Sequence, residues 1–102
     1  MSVVIVGTLD TKGEEIGFAR DVLSAQGVEV HVIDTGVVGE PEIEPDTAAG
    51  EVAEAAGTTL EALREDADRG EAMEAMGEGA TAIAQRMHDE GDLDGIMGLG
   101  GS

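Results

Sequence analysis

The sequence of 102 residues has no cysteine, tryptophan or tyrosine, one aromatic residue, Phe18, and two prolines. Without cysteine there is no disulfide framework, thiolate metal site or sulfur nucleophile. Basic residues are nearly as scarce: 5 stand against 23 acidic ones, giving a formal net charge of −18 and a pI near 4.1. That shortage excludes a surface that tracks nucleic-acid phosphates and a basic patch for anionic membranes. No apolar run approaches the roughly 18 residues of a membrane span. The opening Ser2-Val3-Val4-Ile5-Val6-Gly7 has no basic region followed by a long apolar segment and cleavage site. A cytoplasmic protein is expected.

High charge with so little aromatic surface can leave a chain disordered. Here 41% of the residues are apolar, and they fall into blocks with strand and helix periods, so a folded domain is expected. Its core is small and rich in alanine and glycine, which favours oligomerisation or association with the remainder of a longer chain. Four of the five basic residues are arginine, and Lys12 is the single lysine. Acid-rich, lysine-poor surfaces suit a cytoplasm at molar salt, where self-repulsion is screened over a few ångströms. A halophilic protein is the reading.

Ser2–Val6 is a β-branched run ending at Gly7, the pattern of a buried parallel strand. A polar loop, Thr8–Gly13, follows. The spacing then predicts a helix over Glu14–Gln26, with Ile16, Ala19 and Leu23 joined by Phe18, Val22 and Ala25 on a broad apolar face and Gly27 as the stop. Val28–Ile33 reads as a second strand ending at Asp34, which completes a right-handed β-α-β unit. Residues 35–58 form an excursion that carries both prolines and a short helix over Ala48–Ala56, capped by Asp46 or Thr47. Thr58 or Thr59 can cap the next helix. The longest helix is expected over Arg69–Asp89, entered through a capping box from Asp68 to Glu71, with Met73, Met76, Ala80, Ile83 and Met87 as its apolar stripe. That stripe reads as core or as an oligomer seam. Gly77 and Gly79 inside it call for a close neighbour or a bend. Ile96–Leu99 is the third strand, followed by Gly100-Gly101-Ser102. The fold class is α/β, a parallel, Rossmann-like β-α-β-α-β arrangement in strand order 2-1-3, resembling the opening part of a larger doubly wound domain. Residues 1–102 then make a partial nucleotide-binding subdomain.

In open parallel sheets, ligands sit beyond the carboxyl ends of the strands, where the strand order reverses. Three segments qualify: Thr8–Gly13, Asp34–Gly36 and Gly98–Ser102. Glycine-rich backbone and a helix N-terminus both attract phosphate, and Lys12 adds a charge. Neither G-x-G-x-x-G nor the P-loop order G-x-x-x-x-G-K-[ST] is present. Asp34, ending the second strand, stands where an acid often holds a ribose hydroxyl, or is an ordinary turn aspartate. Arg69 could reach an anion if its helix points into the cleft. His31 and His88 form no metal pair, and the first reads as a packed strand residue, the second as a charge at a helix end. Asp10, Asp92 and Asp94 could hold magnesium alongside a nucleotide, but no protein metal site is assigned among so many carboxylates.

Three ordered segments, Gly7-Thr-Leu-Asp-Thr-Lys-Gly-Glu-Glu15, Asp68-Arg-Gly-Glu-Ala-Met73 and Gly95-Ile-Met-Gly-Leu-Gly-Gly-Ser102, resemble the ATP-binding region of the tomato mosaic virus resistance protein-like family and its bacterial and archaeal relatives. The resemblance spans the chain. It implies an α/β domain that binds ATP, with or without Mg2+, through Thr8, Asp10, Thr11, Lys12 and Gly13 and through Gly98, Gly100, Gly101 and Ser102. It implies no reaction, and no base or nucleophile stands out. A nucleotide-binding module is the leading expectation, and an assembly subdomain without its own ligand is the alternative.

Overall fold

In the computed structural model, which describes residues 2–37, 39–66, 68–91 and 93–99 without the side chains of Asp66, Arg69 and Leu99, three short strands organise the chain. Strands β1 (Ser2–Gly7), β2 (Glu29–Asp34) and β3 (Gly95–Leu99) form a parallel sheet in the order β2-β1-β3. Helix α1 (Leu9–Ala25) joins the first pair, and α2 (Ala49–Ala55), α3 (Leu60–Asp66) and α4 (Arg69–Asp89) lie between β2 and β3. The α/β, Rossmann-like class and the 2-1-3 order expected from the apolar periods are both present.

Alternation along β1 divides the core. Ile5 points with Val32 toward α1, where Leu9 and Ile16 complete a buried cluster. Val4 and Ile33 point the other way, onto Val52 and Ala53 of α2 and onto Ala72, Met76 and Ala80 of α4. Gly79 is the point of closest approach between those helices: a β-carbon there would run into the Val52 carbonyl. Nothing lies within 4 Å of a β-carbon at Gly77, so of the two glycines only Gly79 has the close neighbour that the sequence called for.

Three local expectations are corrected. The segment after β1 is helical from Leu9, because burying the Leu9 side chain between β1 and α1 draws the chain into a turn there; the break falls at Lys12 (φ −122°, ψ 19°). Phe18 is 72% exposed and Val22 40% exposed, and Ala25 is exposed too. The buried stripe of α1 is the narrower one through Ile16, Ala19 and Leu23. Asp46 and Thr47 do not cap α2, whose N-cap position is Ala48. They are held by β2 instead: the Val32 amide donates to Asp46 Oδ2 at 2.7 Å, and Thr47 bridges Ile33. Elsewhere the capping reading matches, since Thr59 Oγ1 accepts from the Ala62 amide and Asp68 Oδ1 from the Glu71 amide.

At the amino edge of the sheet, the Ser2 amide donates to Asp94 Oδ2 at 2.7 Å, and the Asp94 amide to the Ser2 carbonyl at 2.8 Å. Asp94 therefore sits at the opposite end of the strands from Asp10. The two cannot share a magnesium ion, and Asp92 lies outside the described residues. No helix among the described residues is long and apolar enough to cross a membrane.

Candidate functional site at the carboxyl edge of the sheet

The register aligns Gly7 of β1 with Asp34 of β2 on one side and Leu99 of β3 on the other. Reversal of the strand order thus opens beside Gly7, between β1 and β3, and α1 begins there two residues later. Thr8 Oγ1 and Thr11 Oγ1 hydrogen-bond each other at 2.7 Å on this rim, and Lys12 follows at the break in α1. Gly98 closes the other side from β3. Helix α4 delivers the chain to the start of β3, so its first residue, Arg69, lies toward the same carboxyl edge. Gly100, Gly101 and Ser102 lie outside the described residues, as does the Arg69 side chain.

The amides of this turn have internal partners. Leu9 N–H donates to Asp34 Oδ1 at 3.1 Å, those of Thr11 and Lys12 to the Thr8 carbonyl, and that of Gly13 to Glu42 Oε1 at 3.0 Å. The excursion after β2 folds over the start of α1 and brings the Glu42 carboxylate to where an external anion would meet the helix dipole. Contact is tight: a β-carbon on Gly13 would lie 2.5 Å from Glu42 Cβ.

Asp34 is buried and turned inward. Its Oδ1 also accepts from the Gly36 amide at 2.8 Å, so one oxygen pins both the start of α1 and the turn after β2. Burial raises its pKa above the ordinary carboxylate value, opposed by the two amide bonds and reinforced by the nearby negative charge of Asp10. Asp10 reaches across this turn as well, its Oδ2 accepting from the Gly39 amide at 3.0 Å while its buried Oδ1 has no partner. Gly36 fits between them only because it lacks a side chain: a β-carbon would lie 2.5 Å from Asp10 Oδ1 and 3.1 Å from Asp34 Oδ1. The ribose-facing role considered for Asp34 is replaced, for Oδ1, by this bracing role.

Arg64 and Glu42 carry much of this geometry and were not singled out in the sequence. Arg64 Nε donates to the Val37 carbonyl at 2.5 Å, which places a second cation beside the excursion. The available signal was scarcity: Lys12, Arg64 and Arg69, three of the five basic residues, belong to elements that converge on this edge.

A separate open cleft of about 620 Å³ lies on the flank, lined by His31, Thr47, Glu51, Glu54, Ile83 and Arg86 among others. His31 Nε2 is 2.6 Å from Thr47 Oγ1, so this half-buried histidine is a packed strand residue, as read. With two glutamates and the last turns of α2 and α4 on its walls, the cleft disfavours phosphate. Among the described residues no group of three or more His, Cys, Asp or Glu side chains could hold a metal ion.

Fold and rim together define an α/β chain of the Rossmann-like class, whose strand order reverses between β1 and β3. Across residues 1–102 it matches the model of the N-terminal domain of Uncharacterised protein family UPF0261, and the chain belongs to that family. It is 47% identical over 100 residues to a UPF0261 protein of Clostridium tetani, covering 98% of this chain and 25% of that protein. A UPF0261 protein of Brucella suis is 41% identical over 98% of this chain and 24% of its own length, and one of Mesorhizobium japonicum 36% identical over 98% and 25%. The chain thus spans about a quarter of the length of the curated relatives it matches. No solved structure matches it significantly. These matches correct the family reading: the chain is assigned to UPF0261, and not to the tomato mosaic virus resistance protein-like family that its three segments resemble. Short glycine- and acid-bearing segments after parallel strands recur among α/β domains, so they do not by themselves fix a family.

Proposed function

We propose that this chain forms one wall of a nucleotide-phosphate site at the carboxyl ends of β1 and β3, taking ATP with or without Mg2+, in a halophilic cytoplasmic protein. The observation that carries this reading is that Lys12, Arg64 and Arg69, three of five basic residues in all, belong to helices that start or pack toward one edge of the sheet. In so acidic a molecule, basic residues gathered near a strand-order reversal suit a polyanion. Thr8 and Thr11 supply hydroxyls, Lys12 a point charge, and Gly98 with Gly100, Gly101 and Ser102 the opposite backbone. The Glu42 carboxylate holds the Gly13 amide until a phosphate displaces it. Because Glu42 is exposed, its carboxylate exchanges this bond for water at little cost.

Isothermal titration of ATP into the full-length protein in molar KCl tests the reading. Saturable heat that Lys12→Ala weakens about tenfold or more supports it, and no heat removes it. A second reading, an assembly subdomain without independent ligand binding, is favoured by the exposure of Phe18 and Ile96. It predicts the same sedimentation behaviour with and without nucleotide.

A further inference from the structure

Strand β3 carries Ile96, 60% exposed, on one face and Met97, 37% exposed, on the other. Neighbouring positions on β1 are fully buried. Register fixes the faces: Ile96 pairs with Val4, on the α2 and α4 side, and Met97 with Ile5, on the α1 side. Beside Met97's face, α1 leaves Phe18 and Val22 exposed, and α4, on the other face, leaves Met73 51% exposed. The outer edge of β3 pairs with no strand among the described residues. An edge strand with apolar side chains exposed on both faces is a poor end for a sheet in water.

The relatives indicate what ends it. The matched segment is the family's N-terminal domain and amounts to 24–25% of the length of each relative. We propose that β3 is an internal strand of the full-length protein: polypeptide downstream of this domain supplies a fourth parallel strand along β3 and a crossover helix that covers Ile96. Handedness selects the face. The step from β1 to β2 runs one way across the sheet with α1 on the Ile5 face, and the step from β2 to β3 runs the other way with α4 on the Val4 face. A further right-handed step beyond β3 continues the second direction, which lays its helix over the Val4 face, on Ile96 and against the flank of α4. Phe18, Val22 and Met97, exposed on the opposite side of the sheet, are left for a later segment that returns across it.

The test uses the full-length protein in molar KCl, with cysteine placed at Ile96 (I96C) and, as an exposed reference, at Glu74 (E74C). Reaction with a thiol reagent, corrected for the unmodified parent, is expected to be about a hundredfold or more slower at position 96 than at position 74. The slowing should persist on dilution under conditions where sedimentation shows a monomer. Equal reactivity at the two positions overturns the proposal. Protection that disappears as the protein dissociates also overturns it, because a second copy is then the cover. Should I96C fail to fold, hydrogen exchange of the unmodified full-length protein decides: β3 amides protected like those of β1 support the internal strand, and amides exchanging like those of an edge contradict it.

Discussion

Asp34 shows how much one buried oxygen can organise. Its Oδ1 fixes both the start of α1 and the turn after β2, and burial next to Asp10 makes the charged form costly. A carboxyl whose pKa is raised on folding binds its proton more tightly in the native state, so its contribution to stability falls as pH rises through the folded value. Asp34→Asn keeps an acceptor oxygen for both amides and removes the charge. Chemical denaturation of the variant should therefore show a stability gain over the parent at neutral pH that shrinks to nothing well below the ordinary aspartate pKa. A constant difference across pH would assign the effect to packing. The position of Asp34 at the end of β2 was legible in the sequence, but its inward orientation was not. Orientation depends on Gly36 and the Leu9 amide, contacts made only once α1 and the excursion are in place.

Among the elements, strands and the long helix were readable because their apolar periods coincide with burial: β1, β2 and α4 fall within a residue or two of their expected limits. The start of α1 was not, since the polar run Thr8–Gly13 hides one buried side chain, Leu9, whose packing decides the local conformation. The apolar face of α1 was drawn too wide for a related reason: the α1 period includes Phe18 and Val22, yet among the described residues no element covers them. The two glycines of α4 give a paired prediction. Gly79→Ala forces a β-carbon into the Val52 carbonyl and should cost about 2 kcal/mol, by parting α2 from α4. Gly77→Ala meets open space and should stabilise by up to about 1 kcal/mol through helix propensity. Denaturant midpoints of both variants in molar KCl check the pair. Similar shifts for the two would contradict the packing described for these helices.

For the whole molecule, charge dominates. Among the described residues, Arg20 with Asp21, sequence neighbours, is the ion pair formed by an arginine or lysine, so most of the 23 carboxylates have no cationic partner to offset a net charge of −18. Self-repulsion of that size weakens a compact state in dilute buffer and is screened by salt. The melting temperature should rise by roughly 10 °C or more between about 0.2 M and about 2 M KCl, and far less with a neutral osmolyte. Equal effects of salt and osmolyte would leave the halophilic reading without support. The same charge distribution frames the central claim, that three of the five basic residues serve one edge of the sheet to meet a polyanion. Amide chemical-shift mapping during an ATP titration in molar KCl tests that claim most directly. It is expected to show saturable shifts at Lys12, Gly13 and Gly98, with the Gly13 amide moving as phosphate replaces Glu42. Absence of shifts at saturating nucleotide, or shifts confined to the flank around His31 and Arg86, would contradict it.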